Sequence, residues 1–358
     1  MLQYMAEDRT LLAEIKEKIL PLEQKLRELR IAQDAVQRRL RCYKYPVLSL
    51  PTEIIAEVFR QLLPSYPSPA ASRGTLSPTN LTHVCRKWRE IALGIPSLWR
   101  AVKLIPQPNL KGRESRDCVA ALWAKSSGSY PLSIDADIQY LAAFLPHRTR
   151  WEHLSIRLDL FRIFEGGSLP SLKSLRLSAD HYGCPAKIDD APLLRRVFIR
   201  GFDPQNVALP WEHLTILSVT LSPSTWLPVL QHVSQLVHCV LQLSYDGPVT
   251  VPSEIPLLRL ETLEFECRDK RLREFLRRLV VPSLRCFKVN ADIFGSGKPF
   301  PALRSLLSKW NCTLEDLRIN NSSFSEAAYR TEFPSIKHIV RGDLPLHAFT
   351  QYNPFDSE

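Results

Sequence analysis

The sequence predicts an α/β protein in three parts: an N-terminal heptad helix over residues 1–45, a three-helix module over 46–104, and an irregular repeat solenoid with a curved parallel sheet over 105–358. Three observations lead there. Apolar residues near the N-terminus alternate spacings of three and four. The second segment carries helix start and stop signals around two short apolar patterns. From residue 151 onward, an apolar-x-x-apolar-x-apolar phrase recurs at a mean interval near 23 residues.

In the first part, Leu12, Ile15, Ile19, Leu22, Leu26, Leu29, Gln33, Val36 and Leu40 form a heptad seam with one polar member, Gln33. Charged residues fill the positions between. A helix over 5–41 would run about 55 Å. Pro21 lies inside it, and proline removes a backbone donor, so the pattern predicts either a kink near residue 20 or two abutting helices. The seam either pairs with another chain as a coiled coil or lies on this protein's own body.

The second part opens with Ser49, Pro51 and Thr52, residues suited to a helix N-terminus, followed by Ile54, Ile55, Val58, Phe59 and Leu62 at helical spacing. The Pro- and Ser-rich stretch 64–78 reads as a loop. A helix is predicted over 81–92, with Leu81, Val84, Cys85, Trp88 and Ile91 on its apolar face, ended by Gly94 and Pro96. Ser97-Leu98-Trp99 closes the module.

These residues resemble the F-box family, in particular the F-box-like proteins of fungi. The likeness is carried by Leu50-Pro51-x-Glu53-Ile54, then Val58-Phe59, then Val84-Cys85-Arg86-x-Trp88-Arg89, then Pro96-x-Leu98-Trp99. The connection between the first two helices is longer than the family's usual one, a thermodynamically cheap insertion. The resemblance implies a helical module that docks on a Skp-type adaptor, and through it on a cullin. The residues expected to bind the adaptor are Leu50, Pro51, Ile54, Ile55, Val58, Phe59, Val84, Cys85, Trp88, Leu98 and Trp99. Leu50-Pro51 and Ile54-Ile55 make an apolar ridge wider than one core face needs.

The third part carries the phrase nine times, beginning at Trp151, Leu172, Leu194, Leu214, Leu236, Leu260, Leu284, Leu314 and Ile336, with separations of 21, 22, 20, 22, 24, 24, 30 and 22 residues. It resembles leucine-rich-repeat domains, one strand per repeat. The Asn that usually follows each phrase is missing, which predicts an irregular solenoid. Helical connections are expected at 223–233, 270–279 and 301–310, and a loop between 178 and 191. Strand side chains alternate faces, so the phrase's apolar members fill the core and the residues between them line a concave face. That face runs from basic to acidic. Arg196, Phe198 and Arg200 form an aromatic flanked by two arginines, with Arg176 beside them and Glu264 and Glu266 further along. These six are the expected substrate contacts.

No catalytic, metal or cofactor motif is found. Gly295-Ser296-Gly297-Lys298-Pro299 lacks the leading glycine of a phosphate loop, has Pro299 where Ser or Thr would hold magnesium, and reads as a turn. The eight cysteines show no Cys-x-x-Cys spacing, and the histidines no metal-ligand pairing. Scattered free cysteines, the absence of a signal-like N-terminus and the absence of a long apolar run imply the cytosol or nucleus. The net charge of +10 is spread as +3, +4 and +3 over residues 1–46, 47–110 and 111–358, which argues for a solvated surface and against a nucleic-acid stripe. The expected function, as the F-box resemblance implies it, is that of a non-enzymatic receptor: the module docks into a ubiquitin ligase and the repeats hold a protein substrate. The alternatives are a repeat scaffold outside any ligase and, third, a nucleic-acid binder.

Overall fold

The computed structural model describes residues 2–42, 49–72, 74, 76–104, 113–158, 164–179, 186–202, 207–221, 229–243, 254–267, 269–295 and 297–342. Internal contacts divide the chain into two units, residues 1–57 and 58–358.

The first unit is dominated by one helix, α1 (Leu2–Cys42), which continues without interruption through Pro21. The predicted split into two helices does not occur. In the heptad register Pro21 sits on the side away from the seam, so its missing donor and its ring face water. Every residue from 8 to 40 is exposed, including the whole apolar seam. The start of α2 (Thr52–Gln61) completes this unit.

The second unit contains a twelve-stranded, all-parallel sheet. Its strands, in spatial order, are β1 (Ala70–Ala71), β2 (Ala101–Leu104), β3 (Leu132–Asp137), β4 (Trp151–Leu158), β6 (Ser174–Ala179), β8 (Arg196–Arg200), β10 (Ile216–Leu221), β11 (His238–Leu243), β13 (Thr262–Glu266), β15 (Cys286–Asn290), β16 (Asp316–Asn320) and β17 (His338–Gly342). The returning segments carry two further sheets: β5 (Phe164–Ser168), β7 (Ala186–Asp190) and β9 (Val207–Ala208) form one, β12 (Ile255–Pro256) and β14 (Leu279–Val280) the other. This is a repeat solenoid, as the spacing predicts.

The agreement extends to register. The second apolar position of each phrase lies beside its equivalent in the next: Leu154, Leu175, Val197, Leu217, Cys239, Leu263, Phe287, Leu317 and Ile339. All are buried, Cys239 among them, where it fills an aliphatic slot as a small hydrophobe. Strands stacked in register must be offset along the chain by one repeat length, and burial on one face fixes that register.

Helices α6 (Arg273–Arg278) and α7 (Phe300–Trp310) fall where periodicity places them. The segment between 178 and 191, which reads as a loop in the sequence, holds β7. Of the helix expected at 223–233, residues 223–228 lie outside the described residues. A short α8 (Glu326–Glu332), capped by Ser325, adds a helix that the apolar pattern does not signal.

No helix among the described residues is long and apolar enough to cross a membrane.

Candidate functional site

The module's later helices belong to the second unit. α3 (Pro78–Val84) and α4 (Arg86–Leu93) stand where the periodicity predicts one helix. The break is Cys85, whose backbone is extended and whose Sγ accepts a hydrogen bond from the Trp88 amide at 3.4 Å. Cys85 thus caps α4, in the position Ser or Thr usually takes. A 3-10 turn (Pro96–Trp99) then leads directly into β2. The loop 64–78 contributes β1, parallel to β2. It is held by the Ser133 hydroxyl donating to the Pro67 carbonyl at 2.6 Å and by the Tyr66 hydroxyl donating to Glu152 at 2.5 Å. The Arg100 guanidinium lies 4.0 Å from the Tyr66 ring centroid. Burial, then the Glu152 bond, raise the Tyr66 hydroxyl above its ordinary value. The module therefore supplies the first two strands of the repeat sheet, β1 at its edge and β2 beside it.

This placement corrects part of the expected adaptor surface. Phe59 and Trp99 are 0% exposed, Ile55 1% and Leu98 2%. Phe59 meets Trp88 edge-to-face at 4.9 Å. Trp99 meets Trp123, on α5 (Arg113–Ser126), edge-to-face at 5.3 Å, and its Nε1 donates to the Ala92 carbonyl at 2.8 Å. These four residues are core, because a module this small needs its largest side chains to hold itself together. Trp88 and Cys85 are half-buried, leaving little of either to offer a partner.

What remains outside is apolar. Leu50 is 38% exposed, Ile54 50%, Val58 48% and Val84 60%, and Pro51 is exposed too. On α2 the spacing of four puts Ile54 and Val58 on one helical face, opposite the face that buries Ile55, Ala56 and Phe59. Leu62, just past the helix, continues the exposed stripe and is absent from the expected site residues. The surplus of apolar residues in the sequence is thus a helix with two apolar faces, one of them unfilled.

The second candidate surface is the sheet face opposite the solenoid core. Register aligns Ser155, Arg176, Phe198, Ser218, Val240, Glu264, Lys288 and Arg318 across it, as strand alternation predicts. Here too exposure corrects the expectation. Phe198 is only 6% exposed, because its register partner Arg176 lays a guanidinium 5.3 Å from its ring centroid. Glu264 is buried in an ion pair with its register partner Lys288. Glu266 is 6% exposed. Neighbouring strands only about 4.8 Å apart let long side chains cover the shorter ones between them. Arg200 remains exposed and Arg196 half-exposed. Arg176 is half-exposed as well, but its guanidinium is engaged with Phe198. Of the six expected substrate contacts, Arg200 is the exposed one, and Arg196 and Arg176 are half-exposed.

Glu266 has a measurable signature. Burial pushes its carboxyl up from 4.5 to about 7, opposed by the Gln242 hydrogen bond, aided by Glu264 and opposed by Lys288. Below about pH 4.5 the group is protonated folded and unfolded alike. As pH rises toward 7 the unfolded chain ionises first, so the folded state loses stability, and the full penalty stands above 7. Glu266→Gln removes that ionisation and keeps an amide for Gln242. It should stabilise the protein by on the order of 1–2 kcal/mol at pH 8 and leave it unchanged near pH 4. Urea titrations at the two pH values check this; an equal gain at both would refute it.

Comparison with known proteins identifies the module. Residues 47–105 match the F-box-like family model. The chain therefore carries an F-box-like domain, the kind of domain associated with binding a Skp-type adaptor. No curated protein and no solved structure matches the chain.

Proposed function

We propose that this chain is the substrate-recognition subunit of a Skp-cullin-F-box ubiquitin ligase. The observation that carries the reading is the F-box-like domain whose α2 leaves Ile54 and Val58 in water. That face of α2 docks on the adaptor. The adaptor brings the cullin, and the repeat sheet holds a protein to be ubiquitinated. The chain performs no chemistry itself; it supplies proximity to the subunits that do. Such a complex acts in the cytosol or nucleus.

Substrate capture is assigned to the basic part of the sheet face, where Arg196 and Arg200 bracket β8 and can grip an acidic or phosphorylated segment. Affinity purification of the full chain with mass spectrometry tests both halves. A Skp-type adaptor and a cullin should be recovered with the wild type. The Arg196→Glu/Arg200→Glu double variant should keep both and lose the substrate proteins. Recovery of repeat-domain partners without any cullin would favour a scaffold outside the ligase. An unchanged partner list from the double variant would place the substrate elsewhere.

A further inference from the structure

The exposed seam of α1 is unaccounted for by adaptor or substrate binding. We propose that α1 pairs with α1 of a second copy of this chain as a parallel, in-register, two-stranded coiled coil. The helix is continuous over 41 residues, roughly 60 Å at 1.5 Å per residue. Its seam residues are exposed: Ile19 is 43% exposed, Leu26 49% and Leu29 60%. An isolated helix with such a stripe is marginal in water, and burying the stripe is what stabilises it.

The polar residue in the seam selects the occupant. Taking Leu12, Ile19, Leu26, Gln33 and Leu40 as a positions, an in-register parallel pair sets Gln33 against Gln33. Each carboxamide both donates and accepts, so the two satisfy one another. An antiparallel pair centred on the seam sets Gln33 against Ile15 and buries an unpaired amide. An apolar helix from an unrelated partner would do the same.

The flanking charges agree. Lys18 at g and Glu23 at the following e meet across a parallel pair, twice by symmetry. Lys25 and Arg30 meet likewise and repel, so the charges balance. In the antiparallel pair Glu23 faces Glu23, Lys25 faces Lys25 and Lys16 faces Arg30, all repulsive. Pro21, at c, stays outside the seam in either case.

Sedimentation equilibrium of the full chain at tens of micromolar tests the pairing. The wild type should show twice the 41.0 kDa chain mass. Leu26→Asp should show the single mass with the same thermal unfolding of the second unit, because a paired seam cannot solvate a carboxylate. A monomeric wild type, or a Leu26→Asp dimer as tight as wild type, overturns the proposal. Gln33→Cys reports orientation. Under mild oxidation this variant should gain an inter-chain disulfide absent from the wild type, since a positions face each other only in the parallel register. If the Gln33→Cys variant is dimeric yet gains no cross-link, the parallel arrangement is overturned.

Discussion

Replacing Ile54 with Asp should weaken binding to a Skp-type adaptor by at least a hundredfold and leave the folded protein as stable as before. The two halves of that expectation come from the same residue. Ile54 is half exposed and lies in the first turn of α2, on the face opposite buried Ile55. An aspartate there meets only water in the free protein, and its charge complements the helix N-terminus. Docked on an adaptor, the same position would lose about 1.5–3 kcal/mol of aliphatic burial. It would also force an unpaired carboxylate into an apolar contact, at a further cost of several kcal/mol. Val58→Asp, one turn on, should act in the same way. Calorimetric titration with a purified adaptor gives the affinity, and thermal unfolding without adaptor gives the stability. Wild-type affinity in both variants would remove α2's outer face from the docking surface. A lowered unfolding temperature would show that Ile54 supports the fold instead.

The repeat sheet is legible in the sequence because a stacked solenoid converts repeat length directly into strand offset. Leu175 and Val197 are 22 residues apart in the chain and side by side in the sheet. Burial then forces every phrase into the same register. The start of the sheet is hidden for a physical reason. Trp99, Val102 and Leu104 also spell the phrase, and Val102 pairs with Ile134, which pairs with Leu154. But helix α5 and its flanks separate β2 from β3, so the interval between Val102 and Ile134 breaks the pattern, and in the sequence these residues read as the tail of the helical module. Three strands of the minor sheets are invisible for a different reason: β9, β12 and β14 are two residues long and carry no period to read.

Site residues are harder to read than fold, since residue type indicates what could bind and burial decides what can. Phe59 and Ile54 look alike in a helical pattern, and only the packing of Trp88 against Phe59 separates core from surface. Likewise Phe198 between two arginines reads as a hot spot, until Arg176 from the preceding repeat is found over its ring.

Trp99 makes the sharpest test of this division. It ends the F-box-like motif and also fills the first apolar slot of the first phrase, the slot Trp151 holds in β4. Its side chain is fully buried, set edge-on against Trp123 and anchored through Nε1 to Ala92. Trp99→Ala should therefore cost about 3–5 kcal/mol of folding stability, measured by urea denaturation with no adaptor present. Trp99→Phe should recover part of that, by refilling most of the volume without the hydrogen bond. Adaptor affinity of the Ala variant should fall only in proportion to the fraction unfolded, and should approach the wild-type value in conditions that keep the chain folded. A residue at the docking surface would give the opposite record, with wild-type stability and lost affinity. That outcome for Trp99→Ala would return Trp99 to the adaptor surface and break the argument that the module's end is the solenoid's first turn.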